Sequence, residues 1–495
     1  MKRNTNRNRG AVPASGTSAE QTGCADVSSV RPMTGARTGS RLARVRANRV
    51  PVGIRREAPA SGSSAGLCCL VILGLLASAP ANAQTTVLTN ATVIDATGAP
   101  PIEDAAVVIE GNRIAAIHSP SGSAPDPGDD ARVIDLGGAY VLPGLWNNHS
   151  HLGDLLPDPK GLLRDEPLPR AMIRAGRNAM DALKAGFTTL RITGERDFMD
   201  VAWKRAFDDG VFTGPRIVAG GPPLSTDGDT DWLVRTGKGL EGIRAVVADN
   251  IANGVQLIKF IGNRMPPEQL IAGIEEAHRH GIPVTVHADD ETTRIAVMAG
   301  AESIEHGNDL SDDTIRMMAE AGTFLDPTIQ CNLSTEFIAE RERLITEAGY
   351  IAPPEVVEGR VRVSHADERS PAYANHARDV INKAYAAGIR LTTGSDSNPI
   401  SEIGILEIEQ FVFHGIPPIG AIQAATRNSA EMMGMLDDLG TVEAGKLADL
   451  IVLEKNPLEH ISHMRSLSMV IKDGKIVNRS PHEGQASFWE LYLQD

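Results

Sequence analysis

The chain has 495 residues, 42% hydrophobic and 22% charged, with a formal net charge of −15. That length accommodates a large barrel-type domain with additions, and so acidic a balance argues against nucleic acid or an anionic membrane as partner. The charge is uneven: residues 1–83 carry 12 Lys/Arg against 3 Asp/Glu, which leaves −24 for the remainder.

The basic leader has its own internal order. Arg55-Arg56 precede an apolar run at 67–76, and Ala81-Asn82-Ala83 then gives a small-x-small pattern before Gln84. This reads as a secretory signal whose apolar core is too short for a stable membrane span. It predicts cleavage before Gln84 and a periplasmic or secreted protein without membrane attachment. Cys24, Cys68 and Cys69 all lie in this leader, so the mature chain keeps Cys331 alone and has no partner for an intrachain disulfide.

From Thr86 the pattern is one of short alternating strands. Ile109-Glu110-Gly111-Asn112-Arg113-Ile114 reads as a hairpin turn, and Ile471-Lys472-Asp473-Gly474-Lys475-Ile476-Val477 repeats the form near the other end. Residues 84–142 and 437–495 are therefore expected to pair into one small β-sandwich. Between them, residues 143–436 alternate strands and helices, the mark of parallel βα units. Strands are expected near 145–151, 187, 216, 255, 283, 301, 323 and 390. Helices are expected over 170–185, 240–253, 267–280 and 312–321, with Gly186, Gly254, Gly281 and Gly322 just past their ends as C-terminal caps. Eight such strands predict a (β/α)8 barrel. The charged stretch 332–378 after the seventh strand reads as a lid or a subunit contact, and a homo-oligomer is expected.

Six chemistry-bearing side chains fall at the ends of these apolar runs: His149 and His151 on the first, Lys259 on the fourth, then His287, His306 and Asp396. Strand alternation puts His149 and His151 on one face, where both can grip one cation. Imidazole and carboxylate suit zinc or manganese. Lysine is seldom buried without a partner. Beside two cations its amine would lose its proton and could take up carbon dioxide, giving a carbamate with two oxygens to bridge them. Two divalent ions, zinc by ligand type, could hold a bridging hydroxide near neutral pH, and Asp396 could accept its proton. The carboxyl ends of barrel strands are where such groups belong.

These residues and their neighbours resemble the amidohydrolase superfamily. The resemblance is carried by Pro143-Gly144 before His149-Ser150-His151, Ile258-Lys259-Phe260, Val286-His287-Ala288, Ile304-Glu305-His306-Gly307, Thr393-Gly394-Ser395-Asp396, and the segment from Gly440 to Leu453. It spans about 85–477 and is strongest with the binuclear, carboxylated-lysine branch, in its imidazolonepropionase-like and dipeptidase-like (prolidase-like) group. It implies that His149, His151 and Asp396 hold one metal, that His287 and His306 hold the other, and that carboxylated Lys259 bridges them. The chain departs from the family at Asn147 and Ile192, where Asp is usual, and at Ser225-Thr226-Asp227-Gly228-Asp229 and Asp289-Asp290, where histidines are common.

The expectation is an exported hydrolase of dipeptides or N-acyl amino acids. Arg264 is a candidate for a product carboxylate, and Asp227, Asp229, Asp289 and Asp290 are candidates for a cationic substrate group. Hydrolysis of cyclic amides, lactones or ochratoxin-type aryl amides is the alternative. A non-catalytic binding protein on the same fold is a third reading, opposed by the full ligand set.

Overall fold

The computed structural model describes residues 85–119, 131–153, 164–351 and 369–480. The expected signal sequence and cleavage site, and the middle of the 332–378 stretch, lie outside the described residues. No helix among the described residues is long and apolar enough to cross a membrane.

The chain opens with five strands: β1 (Thr85–Val93), β2 (Ile102–Glu110), β3 (Arg113–His118), β4 (Arg132–Asp135) and β5 (Tyr140–Pro143). The predicted hairpin joins β2 and β3, with Ile109 opposite Ile114 and Glu110 opposite Arg113. The other end of the chain supplies β15 (Leu450–Leu453), β16 (Leu467–Lys472) and β17 (Lys475–Ile476), and the second hairpin pairs Ile471 with Ile476. β5 joins the two ends: it runs parallel to β1 and antiparallel to β15. The result is one mixed eight-stranded sheet built from both ends of the chain. Its buried alternating residues, among them Leu88, Val107, Ile109, Val141, Leu450 and Ile471, form a core of their own.

Between these ends, β6 (Leu145–Ser150), α1 (Leu168–Lys184), β7 (Phe187–Ile192), α2 (Met199–Asp208) and β8 (Arg216–Val218) make a parallel three-stranded unit. β9 (Leu224–Thr226), β10 (Arg235–Gly237), α3 (Gly239–Ala252), β11 (Ile258–Ile261), α4 (Pro267–Arg279), β12 (Val284–Ala288), α5 (Asp290–Ala299), β13 (Ser303–His306), α6 (Asp312–Ala321) and β14 (Phe324–Asp326) follow. Their strands form a second parallel sheet in the order β10-β9-β11-β12-β13-β14. Gly186, Gly254, Gly281 and Gly322 all have positive φ beyond the helix ends, as their cap role requires.

The domain is TIM-barrel-like, with strands alternating with helices, but the ladders do not close into one ring. At one seam Gln256 N bonds Ala219 O. At the other, the predicted eighth strand is a single bridge, Leu391 to Leu325, whose neighbours Thr392 N and Thr393 O bond Leu325 O and Asn148 N. The reason is local: Gly394 to Asp396 turn away from the strand direction, and Asp396 has φ 46°.

The 332–378 stretch contributes α7 (Thr335–Glu347) and the start of α8 (Pro371–Ala386). Arg341 Nη1 ties α7 to Gln330 Oε1 (2.6 Å), and Tyr373 OH ties the start of α8 back to Asn332 Oδ1 (3.1 Å). Helices α9 (Ile400–Phe413), α10 (Pro418–Ala424) and α11 (Arg427–Met432) complete the layer outside the strands.

Candidate metal centre

Strand register stacks the interior side chains in layers. Lys259 lies opposite Thr285, Thr285 opposite Ser303, His287 opposite Glu305, and Glu305 opposite Asp326. Lys259 therefore points inward, while the adjacent Phe260 packs in the apolar core beneath the helices. Strict alternation would separate Glu305 from His306. His306 instead has φ 70°, so the chain leaves the strand conformation at that residue. Asp396 and His306 both occupy the left-handed region, a strain found where surrounding structure fixes functional groups.

The four predicted histidines and the aspartate meet at the strand ends. His149 Nε2 and His151 Nε2 lie 3.3 and 3.1 Å from the same oxygen, Asp396 Oδ1. Ligand atoms of His149, His306 and Asp396 all fall within 4.8 Å of one another. The His306 ring stands 5.0 Å from that of His149 and 4.4 Å from that of His287, centroid to centroid. Lys259 is buried in the same interior. Gly394 makes the approach possible: a Cβ there would sit 2.3 Å from His149 Cβ and 2.5 Å from Asp326 Oδ1.

The surroundings prepare the imidazoles to ligate. His149 Nδ1 donates to Glu305 Oε2 at 2.6 Å, and His151 Nδ1 donates to Gly194 O at 2.7 Å. His306 Nδ1 is 2.7 Å from Thr328 Oγ1. An acceptor on Nδ1 leaves the lone pair on Nε2, the arrangement that orients metal-binding histidines. Burial, with Lys259 next, lowers the pKa of His149 and pushes His287 down to about 3. Burial, with His287 next, holds His306 well below its ordinary value. Neutral imidazole is the form that binds a metal. Burial also lowers the Lys259 pKa, against the pull of Glu305 and Asp396, and an unprotonated amine is the form that reacts with carbon dioxide. Burial alone would raise Asp396, but His149, His151 and His306 outweigh it and keep the carboxylate ionised. The donor set, its protonation and its orientation fit divalent ions held by His149, His151, Lys259, His287, His306 and Asp396.

The tentative substrate residues are engaged elsewhere. Arg264 Nη1 lies 3.3 Å from Asp229 Oδ1 and 3.3 Å from Asp231 Oδ2, so the two residues proposed for opposite substrate charges face each other. Asp289 caps α5 by accepting from Thr292 N at 2.8 Å. Asp290 accepts from Ser311 N at 2.8 Å and pairs with Arg294 in the next turn. Asp227 is exposed, with Lys238 at 4.0 Å. The two departures from the family pattern have clear settings. Asn147 Oδ1 accepts from Ser150 Oγ and Ser395 N, and Ile192 is buried in the apolar core.

Glu305, inside the Ile304-Glu305-His306-Gly307 motif, and Arg191, just before Ile192, are not among the expected site residues. Arg191 Nη2 donates to Glu305 Oε1 at 2.5 Å, and its Nε donates to Asn148 O. Thr285 Oγ1 also donates to Glu305. The signal was the one that singled out Lys259: a charged residue inside a buried strand needs a partner.

A family profile described as "Amidohydrolase family" matches residues 140–477. The chain belongs to the amidohydrolase family. It is 27% identical over 387 residues to an ochratoxinase of Aspergillus niger, covering 68% of this chain and 75% of that protein. It is 25% identical over 411 residues to an imidazolonepropionase of Caulobacter vibrioides, covering 73% of this chain and 91% of that protein. The solved structure of a Xaa-Pro dipeptidase with bound methionine overlays with a TM-score of 0.66 at 27% identity, covering 80% of this chain and all of the other. Like the hydrolases of this family, this amidohydrolase is an enzyme acting on carbon–nitrogen bonds of small molecules.

Proposed function

We propose that this chain is an exported, binuclear metal-dependent amidohydrolase that cleaves the amide bond of dipeptides or N-acyl amino acids. The observation that carries the reading is the convergence of His149 Nε2 and His151 Nε2 on Asp396 Oδ1, in a cluster with buried His306 and Lys259 and half-buried His287. Two divalent ions, zinc by ligand chemistry, would supply an activated water and polarise the scissile carbonyl when bound. A carbamate on Lys259 would give the bridge between them.

The chain's own residues do the rest. Asp396 Oδ1 faces the histidines and Oδ2 lies on the other side, 3.6 Å from Cys331 Sγ. The ionised carboxylate accepts the proton of the attacking water and passes it to the leaving nitrogen, so the amine departs neutral. Glu305 and Arg191 sit beneath His149 and hold its ring.

Similarity to a Xaa-Pro dipeptidase supports the dipeptide class. Similarity to an ochratoxinase supports N-acyl aryl amides as a second substrate class on the same site. Purified protein analysed for metal and screened against a dipeptide and N-acyl amino acid library tests the proposal. About two divalent ions per chain and turnover of one of these classes are expected. Active protein with one ion or none would end the binuclear reading. Export rests on the leader and is tested by N-terminal sequencing of the native protein, expected to begin at Gln84.

A further inference from the structure

The two histidines of the first strand are fixed by different means. His149 lies within β6, where its carbonyl accepts from Asp396 N at 2.9 Å and Asn148 N donates to Thr393 O at 2.8 Å. His151 lies beyond the strand. The last ladder contact is Ser150 with Ile192, followed by Thr193 N to Ser150 O. From there three successive carbonyls are taken by three side chains. Asn398 Nδ2 donates to His151 O at 2.6 Å, Asn178 Nδ2 to Leu152 O at 2.8 Å, and Arg174 Nε to Gly153 O at 2.6 Å. Glu195 Oε2 accepts from Gly153 N at 2.8 Å. All four side chains are buried.

The four side chains come from three separate parts of the chain. Asn178 and Arg174 are on α1, one turn apart; Asn398 stands between Asp396 and α9; Glu195 follows β7. Arg174 is itself held by a two-pronged bond to Glu166, 2.5 Å at each prong. A Cβ on Gly153 would meet Met199 Cε at 2.5 Å and Glu195 Oε1 at 2.9 Å, so the loop is packed against the clamp with no slack.

We infer that Asn398, Asn178, Arg174 and Glu195 form a clamp on the 151–153 backbone whose task is to position His151 for the metal. They are positioning residues and touch no reacting atom. A histidine inside a ladder has its place set by the sheet, whereas one residue past the ladder has its backbone placed by what holds the carbonyls around it, with Gly194 O then orienting the ring. The inference rests on His151 being a metal ligand, as proposed above.

The test uses Asn178, which bonds the carbonyl of Leu152, next to His151. Metal-stripped wild type, Asn178→Ala and Asn178→Ser are titrated with zinc, and the Tm of each stripped protein is measured. Arg465→Met is the control for general destabilisation, since it breaks the pairing of Arg465 with Glu409 and Glu402 away from the centre. Expected is a loss of about 10–100-fold in affinity for one of two zinc equivalents, the range for groups that orient a ligand. The other equivalent should hold, and the stripped Tm should fall no further than in Arg465→Met. Wild-type affinity for both equivalents in both Asn178 variants would overturn the clamp. Equal loss of both, matched by Arg465→Met, would also overturn it, because the network would then be structural only. Wild type that takes up no zinc would overturn the metal reading and this inference together. Wild type that takes up two beside unaltered variants overturns the clamp alone.

Discussion

Glu305→Gln probes the buried support of the centre most directly. The carboxylate is fully enclosed and receives four donors: His149 Nδ1, Arg191 Nη2, Thr285 Oγ1 and, at 3.4 Å, Ser303 Oγ. Glutamine keeps the volume but offers one acceptor oxygen and two unwanted N–H groups. Arg191 is left with neutral partners only, Asn148 O, Ser303 Oγ and Met432 Sδ, in an interior closed to water. Stranding one partner of a buried pair costs about 3–5 kcal/mol. Thr285→Ala, which removes a single donor, should cost about 1 kcal/mol. Denaturant titration of the metal-stripped proteins reads both. The same change frees the His149 ring, so zinc affinity should fall about 10–100-fold. The pH dependence follows from the sign of the shift. Burial would raise the Glu305 pKa, but Arg191, His149 and Lys259 hold it well below the ordinary 4.5. Its contribution is therefore complete above pH 4.5 and is lost only as pH falls through the lower folded value. The stability gap between wild type and variant should stay constant from pH 5 to 8 and narrow in acid. A gap under about 1 kcal/mol with unchanged zinc affinity would refute the argument, since no buried charge would then have been stranded.

Asp396→Asn should lower kcat by about 10²-fold or more while leaving substrate binding less affected, as loss of a general base does; steady-state kinetics decide it, and a near-wild-type kcat would move the proton transfer to another group. Lys259→Ala should lose zinc and activity together, and both should return in part with short carboxylic acids that replace the bridge; metal analysis with and without acid is the check. Glu407 is buried, and burial pushes its pKa up to about 8 although Ile329 N and Gln330 N both donate to it. A raised carboxyl contributes in full below its unfolded value of 4.5 and loses that contribution as pH rises through about 8. Wild-type stability should therefore decline across that window by up to about 1.4 kcal/mol per pH unit, and Glu407→Gln should flatten the decline, as read by denaturation midpoints from pH 5 to 9.

The sequence by itself determined the alternating strand and helix order, the terminal hairpins and the six metal-ligand candidates. These depend on local rules: apolar periodicity, glycine beyond helix ends, and a ligating or charged residue at the end of a buried run. Helix 312–321 has the predicted bounds, and the others differ by no more than two residues at either end. Tertiary structure decided what those rules leave free. Whether Arg264 meets a substrate or Asp229 depends on how the loop after β9 lies against the one after β11. Whether Asp289 faces a ligand or caps a helix depends on where α5 begins. The eighth strand shrank to one bridge because Asp396 must leave the strand direction to reach the histidines. Glu305 and Arg191 were visible as buried charges, but their pairing spans 114 positions of sequence. His151 was legible as a candidate ligand from its spacing alone; what holds it, from Glu195, Arg174, Asn178 and Asn398, is scattered over more than 220 residues and assembled only when the chain folds. Local pattern chooses residue types, and only packing chooses which buried partners they meet.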